Sequence, residues 1–244
     1  MGIRRGSIST PIIADGLVFN MDPANRASYV PNATTNKNTI NLSQTGSFIN
    51  DTAFLSPPIS ASCFRLDGTD AYISEQSTSE ITSLGDSMTI QCFFKLTDNS
   101  DSYQAIVAKR QNYTAALNCY ALWAGTAYSS KFRFYLSNGS SSDYAETDSA
   151  YSTNTWYQVT GVYNGSKLLI YQNGIKQADE TAMTGNVKEI LTSELLLGIS
   201  KSSNVVNTSY IMTGLIANVH IYNRALSSTE VLHNYNALKR RFGL

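Results

Sequence analysis

Three Asn-Gly dipeptides, Asn138–Gly139, Asn164–Gly165 and Asn173–Gly174, stand between short apolar runs. A tight hairpin needs positive φ at its central positions, and Asn followed by Gly tolerates it at both. The stretch "WYQVTGVYNGSKLLIYQNGIKQ", residues 156–177, therefore reads as a three-stranded antiparallel meander. A chain that opens and closes hairpins at this spacing leaves little room for a parallel, helix-covered sheet.

The remaining runs follow the same rule. "GLVFNMD" (16–22) reads as the first strand, after an extended arm over residues 1–15. Residues 23–62 are polar and broken by Pro31, Pro57 and Pro58, so they read as loops with one short strand near "SFIN". "SCFRLDG" and "AYISE" read as two strands around an Asp-Gly turn. "SMTIQCFFKLT" (87–97) is apolar on both faces and belongs in the centre of a sheet. "AIVAKR", "YALWAG", "FRFYLSNG", "ELLLGIS" and "GLIANVHIYN" add further strands. Residues 16–244 show no linker or internal repeat. They read as one all-β domain, two antiparallel sheets packed face to face.

The chain then changes character. In "ALSSTEVLHNYNALKRR", Ser227 is placed to cap a helix and Glu230 to reach back to it, a capping box. Leu226 and Val231 fit a hydrophobic staple. Val231, Leu232, Tyr235 and Leu238 fall on one stripe, with Lys239, Arg240 and Arg241 in the last turn. So short a helix is marginal alone, so the stripe must dock on a sheet edge or a loop.

Charge and cysteine use narrow the function. With 18 basic and 18 acidic residues the net charge is zero, which argues against nucleic acid and against an anionic membrane surface. No stretch approaches the roughly 18 apolar residues of a membrane span. The basic N-terminus has no apolar segment behind it and reads as no secretion signal. Three widely spaced cysteines, Cys63, Cys92 and Cys119, make neither a disulfide framework nor a zinc cluster. Cys92 reads as a small buried apolar residue, and the set suggests folding in a reducing cytosol.

The ordered blocks "FRLDGTDAYIS", "SMTIQCFFKL", "AIVAKR", "WYQVTGVYNGSKLLIYQNGIKQ", "LLLGIS" and "GLIANVHIYNRALSSTEVLHNY" resemble laminin-G-like, concanavalin-A-like jelly-roll domains, from about Gly16 to the C-terminus. The resemblance implies a two-sheet antiparallel jelly-roll sandwich with one short C-terminal helix. "DGLVFNMDPANRASY" and "NYNALKRRFGL" together resemble stand-alone versions of this domain in virion proteins of tailed phages, of marine or cyanobacterial type. That implies a protein assembled in the host cytoplasm and carried on the virion surface. Its role would be capsid decoration or a head fibre, docked on other virion proteins such as the major capsid protein. Arg4 and Arg5 on the N-terminal arm are the candidate docking element. The chain departs from its relatives at Ala217 and Asn218, where an acidic residue is common.

Chemistry is sparse. Glycoside hydrolysis needs two facing carboxylates, and no strand carries Asp or Glu at alternate positions. His220 lies in the last strand and His233 on the helix, with no nucleophile-elbow motif to serve. Calcium wants about six to eight oxygens, and Asp67 and Asp70 read as turn formers rather than ligands. The chain is therefore expected to be no enzyme and to use no cofactor or metal. The alternative to virion decoration is an adhesin that recognises host surface glycans. With 15 tyrosines and 2 tryptophans there is aromatic surface for sugars to stack on. Trp123, Tyr128, Tyr144 and Tyr151 are the candidate contacts, while Trp156 reads as core.

Overall fold

The computed structural model describes residues 11–56 and 61–244. In chain order the first strands are β1 (Leu17–Met21), β2 (Thr35–Lys37), β3 (Thr45–Ile49), β4 (Ala53–Leu55), β5 (Cys63–Asp67), β6 (Tyr72–Glu75), β7 (Met88–Leu96), β8 (Gln104–Arg110) and β9 (Asn118–Ala124). They continue with β10 (Arg133–Ser137), β11 (Ser142–Glu146), β12 (Trp156–Tyr163), β13 (Lys167–Gln172), β14 (Ile175–Ala182), β15 (Leu195–Leu197), β16 (Ser200–Ser202), β17 (Val205–Asn207) and β18 (Thr213–Tyr222). Helix α1 (Ser228–Leu238) and a 3₁₀ turn, Lys239–Phe242, close the chain.

Two antiparallel sheets face each other. The first runs β14-β13-β12-β7-β18-β5-β4, with β1 on the far end of β18. The second runs β11-β10-β9-β8-β15-β6-β3-β2, and β16-β17 form a separate hairpin. Inward side chains of both sheets, among them Phe64, Phe94, Tyr120, Leu122, Phe132 and Phe134, make the main core. β7 is central, as its two-sided apolar pattern predicts. Ile90, Cys92 and Phe94 face the core, while Phe93 lies under the C-terminal segment.

The β12-β13-β14 meander forms as read. Its turns differ from one another. Asn173 and Gly174, in a two-residue loop, both take positive φ (52° and 77°). In the longer loops at Asn138 and Asn164 only the glycine does. There the Asn Oδ1 accepts backbone N–H bonds from Ser140 and Ser141, and from Ser166 and Lys167. A longer loop lets the side chain imitate a turn, so the backbone need not.

Other expectations change. Residues 23–56 hold three strands, β2, β3 and β4, instead of one. β5 and β6 are not a hairpin, because β5 pairs in the first sheet and β6 in the second. The Asp67 carboxylate accepts the N–H groups of Thr69, Asp70 and Ala71 and turns the chain from one sheet to the other. Those bonds, against a smaller cost of burial, hold Asp67 below the ordinary carboxylate range.

The capping box is present: Ser227 Oγ accepts from Glu230 N at 3.3 Å and Glu230 Oε2 from Ser227 N at 2.8 Å. The staple residues Leu226 and Val231 share one buried cluster. The helix docks on the outer face of the first sheet, not on an edge or a loop. Leu232 stays exposed, and Asn234 takes the buried place on the docking face. Asn234 Nδ2 donates to Gln91 Oε1 (2.7 Å) and Tyr222 OH (2.9 Å), while its Oδ1 accepts from Ile13 N (2.8 Å). Lys239, Arg240 and Arg241 lie in the 3₁₀ turn beyond the helix. Trp156 is half-buried against Phe242 beneath that turn, outside the main core. Cys63, Cys92 and Cys119 are all buried. Among the described residues no helix is long and apolar enough to cross a membrane.

Candidate functional site

Strand alternation turns a second set of side chains outward from the second sheet. In β9, Tyr120, Leu122 and Ala124 point to the core, which puts Ala121 and Trp123 on the outer face. In β10, Phe134 and Leu136 point inward, and Arg133 and Tyr135 outward. β8 contributes Ala108 and Arg110. Small residues, Ala105, Ala108 and Ala121, leave a low floor, and rings stand around it.

The result is a groove of about 380 Å³ lined by Tyr103, Arg110, Tyr113, Asn118, Trp123, Tyr128, Tyr135, Ser142 and Tyr210. Tyr103 meets Tyr128 and Tyr210 edge-on, with centroids 5.4 and 6.1 Å apart. Trp123 meets Tyr210 edge-on at 5.4 Å. The Arg110 guanidinium lies 4.5 Å from the Trp123 ring and 4.8 Å from that of Tyr210. Its Nε donates to Ser200 Oγ and the Lys201 carbonyl. Burial draws the Arg110 pKa down, and the Tyr210 and Tyr128 hydroxyls only partly oppose it.

Arg133 organises the neighbouring end. Its guanidinium is 3.9 Å from the Tyr144 ring and 4.3 Å from that of Tyr128. Nε donates to Glu146 Oε2 at 3.0 Å, and Lys131 holds the other carboxylate oxygen at 2.8 Å. Burial pulls the Glu146 carboxyl up, but the two cations outweigh it and keep it below its ordinary value. Beyond Tyr144 lies a charged depression bounded by Lys131, Asp143, Glu146, Asp148 and Asp179.

Of the four aromatic residues expected to touch sugar, the structure brings three together. Trp123 and Tyr128 line the groove, and Tyr144 extends it through Arg133 and Tyr135, its ring 5.0 Å from that of Tyr135. Tyr151 stands apart, in the inter-sheet core. It stacks on Phe132 at 4.8 Å and donates to Asn99 Oδ1. Burial pushes its phenol up to about 12. Arg4 and Arg5 lie outside the described residues. Tyr103, Arg110, Tyr113, Arg133, Tyr135 and Tyr210 were not anticipated. For Arg133 and Tyr135 the signal was the alternation in "FRFYL". Tyr210 enters from a short 3₁₀ turn, Thr208–Tyr210, far along the chain from Trp123, and only the topology brings it there.

A larger cleft, about 950 Å³, is elsewhere, between β1, β18 and the C-terminal segment. Its walls are Asn20, Asp22, Arg26, His220, Arg240 and Arg241, without an aromatic ring other than that of His220. Among the described residues no three His, Cys, Asp or Glu side chains gather as a metal would require.

A family model described as the Concanavalin A-like lectin/glucanases superfamily matches residues 67–232. A comparison with curated protein sequences returns no significant match. Solved structures do match. The binding domain of botulinum neurotoxin DC in complex with SialylT superposes with a TM-score of 0.69 at 14% identity, over 92% of this chain and 52% of that one. Domain 4 of AbnA, a GH43 extracellular arabinanase from Geobacillus stearothermophilus solved with arabinotriose, gives 0.64 at 11% identity, over 90% and 98%. A Trypanosoma rangeli sialidase with the inhibitor DANA gives 0.66 at 12%, over 97% and 36%. The chain thus spans about half of the toxin binding domain and about a third of the sialidase. At these identities the likeness is one of fold.

Proposed function

The chain belongs to the concanavalin A-like lectin/glucanase superfamily, and from that premise we propose that it is a carbohydrate-binding module whose ligand lies in the aromatic groove. The observation that carries the reading is the ring of Trp123, Tyr103, Tyr113, Tyr128 and Tyr210 around an alanine floor. Sugar rings present flat C–H faces that stack on aromatic faces, and their hydroxyls take hydrogen bonds from neighbouring polar groups. Asn118, Ser142 and the tyrosine hydroxyls offer those here.

The module binds and does not cleave. Hydrolysis needs a protonated carboxylic acid facing a second carboxylate. Of the carboxylates near the rings, Glu146 is held ionised between Lys131 and Arg133, and Asp143, Asp148 and Asp179 lie outside the groove, in the depression beyond Tyr144. The larger cleft lacks the flat tyrosine and tryptophan faces that sugars favour.

The similar structures named above include one solved with arabinotriose, which supports the glycan reading ahead of capsid decoration. A place on a phage particle, docked on capsid protein, remains a separate proposal that rests on the resemblance of the two terminal segments. The groove works the same way in that setting.

Isothermal titration against a panel of neutral and acidic oligosaccharides tests the reading. Saturable binding to at least one glycan, lost on Tyr128→Ala with the fold intact, is expected. Absence of binding across the panel overturns it.

A further inference from the structure

Arg110 is 8% exposed, and what remains exposed of it lines the groove. Its Nε is satisfied, but its buried Nη2 has no hydrogen-bond partner. Among the described residues no carboxylate pairs with it, although the other guanidinium of the surface, Arg133, is paired with Glu146. Lys131 shares that same carboxylate, so two cations already draw on one anion. Nearby Lys201 is occupied by Glu194. Arg110 is therefore a guanidinium without a counterion, held between Trp123 and Tyr210, while the unpaired carboxylates of Asp143, Asp148 and Asp179 lie apart from it in the depression beyond Tyr144. Burying a cation without a counterion is costly, and guanidinium N–H groups make strong charge-assisted hydrogen bonds to carboxylate and sulfate oxygens.

We propose that the groove selects anionic sugars, with Arg110 receiving the carboxylate or sulfate while the exposed rings of Tyr103 and Tyr113 stack on the pyranose. This inference rests on the glycan-binding reading and deepens it. Arg110 would be the specificity-determining residue. The tyrosines alone would not discriminate charge.

The test is a matched series measured by titration calorimetry on the full chain: 3′-sialyllactose, oligogalacturonate and sulfated lactose against lactose and the methyl esters of the two carboxylates. Methylation removes the charge and leaves the ring. At least one acidic glycan should bind about tenfold or more tighter than its neutral counterpart, the scale of a charge-assisted hydrogen bond. Which acid wins separates uronic, sialic and sulfated sources. Arg110→Gln should bring acid and ester to parity. Equal affinity of acid and ester for the unmodified protein overturns the proposal while the glycan-binding reading stands. Equal loss of both ligands in the variant assigns Arg110 a purely structural clamp on Ser200 and Lys201, and also overturns it. Failure of every glycan to bind overturns both. The acid–ester comparison needs no variant, so a poorly folded Arg110→Gln leaves the proposal testable.

Discussion

Arg241 grips Asp22 through two parallel hydrogen bonds of 2.7 and 2.9 Å, across a sequence separation of 219 residues. The pair ties the last turn of the chain to the end of β1. Both side chains are mostly but not wholly covered, at 27% and 17% exposure. Asp22→Asn or Arg241→Gln should lower stability by about 1–2 kcal/mol, between the values for exposed and buried pairs. The urea midpoint should fall with unchanged slope, and the loss should shrink in high salt.

Asn234 gives a larger effect. Its amide joins the helix to β7 through Gln91, to β18 through Tyr222, and to the N-terminal segment through Ile13. Asn234→Ala leaves the buried Gln91 Oε1 and the part-buried Ile13 N–H without those partners. The expected cost is about 2–4 kcal/mol by thermal or denaturant unfolding. A loss below about 0.5 kcal/mol would show that water replaces the amide.

Two buried groups oppose each other in pH. Burial raises the Glu75 carboxyl from 4.5 to about 7. Asn36 lies beside it, yet no hydrogen bond with good geometry forms to either carboxylate oxygen, so burial dominates. Its folded-state pKa exceeds its unfolded value, so its stability is full below pH 4.5 and is lost as pH rises through 7. Burial lowers His220 from 6.5 to about 4, with Asp22 opposing and Arg241 adding to the shift. Its stability is full above pH 6.5 and is lost as pH falls through 4. Each swing is on the order of 3 kcal/mol, and in the unmodified protein the two largely cancel between pH 4.5 and 6.5. Glu75→Gln should therefore melt lower as pH falls across that range, and His220→Gln should melt lower as it rises. Parallel slopes in the two variants would refute the pairing.

Tyr113 is the cleanest probe of the groove, since it is 67% exposed. Tyr113→Ala should change stability by less than about 0.5 kcal/mol. It should weaken glycan binding roughly fivefold, the worth of one stacked ring. Trp123→Ala would confuse the two effects, because Trp123 is almost fully buried and carries Arg110.

Local chemistry was legible wherever a few adjacent residues decide the outcome. Ser227 and Glu230 define the helix start within four positions, and "MTIQCFF" betrays a strand covered on both faces. What failed depended on partners distant in sequence. An Asp-Gly turn looks the same whether the next strand returns to its own sheet or crosses to the other, and at Asp67 it crosses. Asn234 reads as a polar helix residue until Gln91 and Tyr222 are seen beneath it. Tyr151 and Tyr144 sit in similar polar surroundings in the chain, yet Phe132 draws one into the core while Arg133 keeps the other on the surface. Arg110 ends a strand as "AKR" and gives no hint that Tyr210 will cover it.

The helix and the groove occupy opposite outer faces of the sandwich, the helix over the first sheet and the rings over the second. Pro11 and Ile13 lie against the helix, and the last residues follow it on the same side. The molecule thus has a polarity: a back through which either end of the described chain can be tethered, and a front that stays open when it is. Held through that back, on a sensor chip or a particle, it should present the rings outward. If the groove binds glycan as proposed, many copies on one support would read a polysaccharide in concert, turning weak single contacts into firm adhesion.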